Sequence, residues 1–184
     1  HMGISYIDAP GEAEGYASEL CRIGYVDYVV TEDMDTLAFG SPRMIRTNID
    51  KKIKRRDLIS IINLENILKD FDMSQEEFLD VCIMSGCDYC KNIRGIGPHK
   101  ALSNIKKYKT IEELINKTNL KIDDDYLEKV VHSRNLFKLF KDTIDPEKII
   151  ISSSLKDIDS LKDYLATECN MSKNRIDKSI MKME

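Results

Sequence analysis

Five carboxylates stand out by their spacing. Asp33 and Asp35 lie two residues apart, just after the β-rich run Tyr28-Val29-Val30-Thr31. The carboxyl end of a buried strand in an open α/β sheet is where ligands collect. In an extended segment residues i and i+2 face the same side, so these two groups can converge on one cation. The competing explanation is an acidic turn that caps a short helix at Met34. Glu12 and Glu14 fall in the first turn of an expected helix, where the macrodipole and the free N–H groups favour carboxylates. On a regular helix such positions diverge by about 200°. One of the two would then ligate directly and the other act through water or at the fraying helix start. Ordinary helix-start charge explains them as well. Asp88 follows Ser85-Gly86-Cys87, where a helix from Ser74 should end. It can cap the next turn or reach across to the earlier carboxylates. A purely oxygen donor set suits Mg²⁺ or Mn²⁺ rather than zinc. Paired metals of that kind activate water and stabilise a leaving oxygen in phosphoryl chemistry.

A second constellation is Arg94-Gly95-Ile96-Gly97-Pro98-His99-Lys100-Ala101. Two glycines one residue apart let the backbone turn tightly and approach a ligand. Pro98 should start a helix through Leu102 and Ile105, whose free N–H groups form an anion site suited to a phosphate. Lys100 adds charge. No βαβ frame or third glycine surrounds the octet, which excludes a dinucleotide fingerprint. A plain helix–turn–helix corner is the alternative to a contact with a DNA backbone.

Elements must hold these groups in place. Pro10 suits a first helical turn, Ala13, Ala17, Leu20 and Cys21 recur at helical spacing, and Gly24 ends the run. Met34 to Ala38 reads as one helical turn. Met44–Thr47 and Leu58–Ile62 are strand candidates, joined through the basic run Lys51-Lys52-Ile53-Lys54-Arg55-Arg56 as a hairpin or loop. From Leu64 onward the pattern is helical. Ser74 and Thr110 are good cap residues with Glu77 and Glu113 three positions on. Asp145-Pro146 divides the late helices into two groups. The picture is an α/β core over residues 3–72, with a small, mostly parallel sheet, followed by a helical lobe over residues 73–184.

Composition sets bounds. Hydrophobic residues make up 42% and charged residues 33% of 184, so a disordered or collagen-like chain is excluded. No run approaches the roughly 18 apolar residues of a membrane span. Net charge is −4, which taken alone argues against a nucleic-acid partner. Local order overrides the total: basic residues group at 51–56 and again through Lys91, Arg94, Lys100, Lys106, Lys107 and Lys109. Five cysteines, an odd number, point to reduced thiols in an intracellular compartment. Cys87 and Cys90 form a C-x-x-C pair, but no second pair follows at zinc spacing. His1-Met2 reads as a cloning remnant.

Taken together the motifs resemble one family, the flap-endonuclease and xeroderma-pigmentosum-G type structure-specific 5′ nucleases. Ala9-Pro10-Gly11-Glu12-Ala13-Glu14 resembles the acidic helix start of that family's internal region. Thr31 to Gly40 resembles its second acidic motif, and Ser85–Cys90 with Ile93–Pro98 its helix–two-turn–helix. The resemblance implies a PIN-like nuclease core in which Glu12, Glu14, Asp33, Asp35 and Asp88 hold two divalent ions, Mg²⁺ or Mn²⁺. It implies that Arg94, Gly95, Ile96, Gly97, His99 and Lys100 grip duplex DNA. Ser85, Asn92 and Ile96 fall where the family's monovalent cation, often K⁺, is held. His99 departs from the usual Lys or Arg. The family's N-terminal region, with two further aspartates, has no counterpart here, and no sliding-clamp peptide is visible.

The expected function is therefore part of a metal-dependent nuclease cutting branched DNA in replication or repair. This chain alone should bind DNA and cleave little or not at all. An exposed sheet edge could support self-association, and the nucleus is the expected location in a eukaryote. A non-catalytic nuclease-fold scaffold and a PIN-like ribonuclease are the rivals. A scaffold has no electrostatic use for so costly a cluster, and the helix–two-turn–helix favours duplex DNA over RNA.

Overall fold

The computed structural model describes residues 1–46, 60–152 and 155–182. The basic run at 51–56, with Thr47, Leu58 and Ile59 of the expected strands, lies outside the described residues. The described chain divides into two compact units, residues 9–146 and residues 1–8 with 147–184.

The larger unit holds every candidate site residue named above. Helix α1 (Ala13–Arg22) runs to Ile23, and Gly24 follows at φ +76°. The helix starts three residues after Pro10, with Glu12 as its extended N-cap. Strand β1 (Val29–Val30) leads into the single turn α2 (Asp35–Ala38). Strands β2 (Arg43–Arg46) and β3 (Ser60–Asn63) complete a three-stranded sheet of order β1-β2-β3. Val29 pairs with Met44 in parallel, and Met44 with Ile62 antiparallel. The sheet is thus mixed, with one pairing of each sense, as consecutive strands β2 and β3 return beside each other.

Helix α3 (Leu64–Phe71) follows directly, its N-cap Asn63 accepting from the Asn66 N–H. Helix α4 (Gln75–Ser85) opens with a full capping box between Ser74 and Glu77 and closes at Gly86. Helices α5 (Pro98–Tyr108), α6 (Ile111–Lys117) and α7 (Tyr126–Phe137) complete the unit. Its main core joins Leu79, Ile83 and Met84 of α4 to Ala101 and Ile105 of α5, Ile111 and Leu114 of α6, and Val130 of α7. A fully buried side chain of that size contributes about 1.5–3 kcal/mol. A smaller cluster of Leu37, Met44 and Leu64 seats α2 and the sheet. Gly15 lets α1 approach Phe39, since a Cβ there would lie 2.9 Å from its ring. Rigid packing therefore carries each acidic segment.

In the smaller unit Tyr6 and Ser152 exchange backbone hydrogen bonds as an isolated antiparallel bridge. Helices α8 (Ile158–Thr167) and α9 (Lys173–Ile180) pack through Leu161, Ile176 and Ile180. A short 3₁₀ turn at Pro146–Lys148 precedes it, where Asp145-Pro146 was expected to interrupt the helices. No helix among the described residues is long and apolar enough to cross a membrane.

Candidate functional site

The five carboxylates come from three places in the larger unit: the start of α1, the β1–α2 turn, and the turn after α4. Glu12 is not helical. Its φ of −62° and ψ of 117° are extended, so the divergence expected for two helical positions does not apply. The neighbouring Glu14 carboxyl group is the largest cause that raises the Glu12 pKa above its ordinary value. Burial, Glu14, Asp33 and Asp88 push it further the same way.

The Asp33–Asp35 segment is not extended either. Met34 is helical and Asp35 already belongs to α2. Asp33 Oδ1 accepts from the Asp35 N–H at 3.0 Å, and the Asp33 N–H donates to Thr31 Oγ1 at 3.1 Å. The capping role weighed for this turn is thus present. It leaves the second Asp33 oxygen free of that bond, so capping and ligation are compatible. Burial raises the Asp35 pKa first, and the charges of Asp33, Asp88 and Glu14 add to the rise. Glu12 and Asp35 each respond to carboxylates of all three segments, which puts the five groups in one negative field.

No ion pair among the described residues includes any of the five. Nor do three or more acidic, histidine or cysteine side chains among them close on a common point as a metal cage would. The donor chemistry nonetheless fits a hard divalent cation. The groups are oxygen-only, drawn from packed elements, and subject to a mutual repulsion that such an ion would relieve. Tyr89, next to Asp88, stacks edge-on against Phe137 at 5.4 Å and fixes the third segment. Neither Thr31 nor Tyr89 was singled out in the sequence. The hydroxyl two residues before Asp33 was the available signal for the first.

The second constellation follows α4. Gly86, at φ +102°, brings the chain so close to Asn92 that a Cβ would meet its backbone at 3.3 Å. The Ile96 N–H donates to the Ile93 carbonyl at 2.9 Å, closing a turn whose third residue, Gly95, has φ +83°. That conformation is one L side chains rarely adopt. Asn92 Nδ2 donates to the Ile96 carbonyl at 3.0 Å, which brings together two of the three residues expected around a monovalent cation. The third, Ser85, donates its hydroxyl to Val81 O at 2.6 Å within its own helix. Gly97 is the N-cap of α5, with φ −104° and nothing within 4 Å of an added Cβ. A Cβ there meets no protein atom, which leaves room for an approaching ligand. Arg94, His99 and Lys100 are exposed. Lys100 Nζ folds back on the Gly95 carbonyl at 2.9 Å, bracing the turn.

Residues 3–88 match the XPG I-region family. Over its whole length the chain is 39% identical to flap endonuclease 1 of Brugia malayi, of which it covers 48%. It thus spans about half the length of the curated relatives it matches. The solved flap endonuclease-1 of Methanococcus jannaschii superposes with a TM-score of 0.72 at 26% identity, over 99% of this chain and 53% of that one. A GEN1 Holliday junction-resolving enzyme, solved with product DNA, Mg²⁺ and Mn²⁺, shares the fold at a TM-score of 0.55 and 21% identity, over 85% of this chain and 45% of that one. With its motifs carried in order on this fold, the chain contains an XPG I-region and is similar along its whole length to about half of flap endonuclease 1.

Proposed function

We propose that this chain carries the internal acidic segment and the helix–two-turn–helix of a divalent-metal-dependent nuclease that cleaves branched DNA. The carrying observation is the shared negative field of Glu12, Glu14, Asp33, Asp35 and Asp88, drawn from three rigid segments without a cationic partner among the described residues. Bound there, Mg²⁺ or Mn²⁺ would supply charge neutralisation and Lewis-acid activation for phosphodiester hydrolysis. The protein's own part is positional. The Asp33 cap sets the direction of Asp35, the α1 N-cap brings Glu12 against Glu14, and Tyr89 anchors the turn of Asp88. The GEN1 neighbour's metals and product DNA favour the same reading.

In this reading Gly95, Ile96 and Gly97 present backbone groups, and the start of α5 presents free N–H groups, to a phosphate of duplex DNA. Arg94, His99 and Lys100 surround that approach. The Ser85, Asn92 and Ile96 oxygens are the proposed place for K⁺. In this reading the chain by itself binds DNA and cleaves little.

The test is a titration of fluorescent flap and duplex DNA with the chain across KCl concentrations, with and without Mn²⁺. Affinity should fall with a slope of about 0.9 per phosphate neutralised. Lys100→Ala should shallow that slope by roughly one unit. Gly97→Val should weaken binding far more than it lowers the thermal midpoint, because the fold leaves room for a Cβ there and the remaining cost is that of a poorer N-cap residue. Equal DNA affinity for all three proteins would remove this turn from the function.

A further inference from the structure

The segment Cys87-Asp88-Tyr89-Cys90 contains a thiol pair that the nuclease reading leaves unused. Its backbone closes on itself. The Cys87 N–H donates to the Cys90 carbonyl at 2.9 Å, and the Cys90 N–H to the Cys87 carbonyl at 3.2 Å. Two residues that exchange both bonds form the hydrogen-bonded pair of a tight antiparallel turn, with Cα atoms about 5.5 Å apart. Disulfides usually span Cα separations of about 4.4–6.8 Å. Both thiols are free. Cys90 is buried at 2% exposure, and Cys87, partly buried, packs against the same apolar cluster. Cys87 is thus the thiol more accessible to a small reagent, and Cys90 the shielded one.

We propose that Cys87 and Cys90 are a thiol–disulfide modification site, closing reversibly by exchange with a small-molecule disulfide such as oxidised glutathione. Cys87 sulfur attacks the reagent, forming a mixed disulfide and releasing one glutathione as its thiol. Cys90 sulfur then attacks Cys87 sulfur, breaking the mixed bond and releasing the second glutathione. Two protein thiols are oxidised and one glutathione disulfide is reduced to two thiols.

Zinc is the other ligand a C-x-x-C pair suggests. It needs four donors, and among the described residues no third acidic, histidine or cysteine side chain joins these two in a metal-binding group. Reversibility follows from the exchange itself, since the thiolate of excess reduced glutathione attacks a sulfur of the bridge and returns both protein thiols. Asp88 lies between the two sulfurs in sequence, so closure reshapes the turn that carries it. That last consequence rests on Asp88 as a metal ligand, whereas the disulfide itself does not.

The experiment equilibrates the chain with graded mixtures of reduced and oxidised glutathione at mildly alkaline pH, then alkylates and digests it with trypsin. One tryptic peptide, Asp70–Lys91, contains Cys82, Cys87 and Cys90. Under oxidising mixtures it should be lighter by two hydrogens and alkylated at Cys82 alone, and reduced glutathione should reverse this. Cys90→Ser should trap a glutathione adduct on Cys87, and Cys87→Ser should leave Cys90 unmodified. The proposal is overturned if Cys87 and Cys90 are both alkylated under mixtures that already glutathionylate the exposed Cys169, or if the bridge joins Cys82 instead. Mn²⁺ binding is measured on both forms. Weaker binding to the oxidised form supports the Asp88 consequence. Absent binding to both forms, with the bridge still forming, would overturn the metal reading and leave the disulfide standing.

Discussion

Two regions of the larger unit concentrate carboxylates, and they treat them in opposite ways. Asp80, at 4% exposure, receives both ends of the Arg134 guanidinium, with Nε donating at 2.7 Å and Nη2 at 2.6 Å, and it also accepts from the Ile111 N–H. Arg134 reaches Glu112 as well. Glu12, Glu14, Asp33, Asp35 and Asp88 have no such cation among the described residues. Burial raises the Asp80 pKa and Arg134 only partly offsets that rise, while Arg134 lowers the pKa of Glu112. In the acidic cluster every neighbouring charge that acts on Glu12 and Asp35 raises. The first arrangement spends its charge on holding α4, α6 and α7 together. The second stores unrelieved repulsion, which a folded protein retains when a ligand of opposite charge resolves it.

The sharpest way to break this comparison is to remove the cation from the first region. Arg134→Met leaves Asp80 buried without its partner, which costs about 3–5 kcal/mol in comparable cases. Urea denaturation should show that loss, with Mg²⁺ giving no rescue. A loss under about 1 kcal/mol would mean that water reaches Asp80 and that the two regions do not differ in kind.

Matched Asp→Asn changes sharpen it further. Asp80→Asn should destabilise the chain, because the guanidinium loses its charged partner. Asp35→Asn should stabilise the metal-free chain, by about 0.5–1 kcal/mol after allowing for solvent screening of a half-exposed group. The pH dependence follows from the sign of the shift. The folded pKa of Asp35 lies above its ordinary 3.8. Its protonated form is therefore favoured by folding, and that contribution, complete below 3.8, is lost as pH rises through the folded value. The gain from Asp35→Asn should thus be absent in acid and grow toward neutrality. Glu112 behaves oppositely, since its lowered pKa gives stability above its ordinary 4.5 that is lost as pH falls. Thermal midpoints from pH 3 to 7 check both signs, and Mn²⁺ should stabilise the native chain more than the Asp35→Asn variant. Equal midpoints at all pH values would remove the stored repulsion.

The difference between the regions explains what could be read beforehand. The cap residues Ser74 and Thr110, the stop at Gly86 and the start at Pro98 are local, and they stand where the sequence placed them. The acidic segments were visible because each is a short run of like residues. The Asp80–Arg134–Glu112 network was not, since its members lie 54 and 22 residues apart and each alone is an ordinary helix charge. Local conformations within the acidic segments were also hidden. Extended and helical periodicities were assumed for Asp33–Asp35 and Glu12–Glu14, whereas a side-chain cap and an N-cap fix the actual geometry. Tertiary bracing, such as Lys100 on the Gly95 carbonyl, leaves no mark in a motif.

The smallest effect separates pairing from burial. Lys109 Nζ lies 2.9 Å from Glu77 Oε1, but the lysine side chain is 65% exposed. Glu77 also accepts from the Ser74 N–H in the capping box, and that bond is the largest single cause lowering its pKa, with Lys109 next. If pairing alone made a carboxylate structural, Lys109→Met would cost as much as Arg134→Met. Exposed pairs contribute about 0–1 kcal/mol because water already screens both charges. Lys109→Met should therefore cost at most about 0.5 kcal/mol, within the range of such surface pairs. The difference from the native chain should vanish at high salt, where the Debye length shrinks to about 3 Å. Urea midpoints at low and high NaCl measure it. A cost that survives high salt would make Glu77–Lys109 part of the buried class, and desolvation would no longer be what distinguishes the Arg134 network.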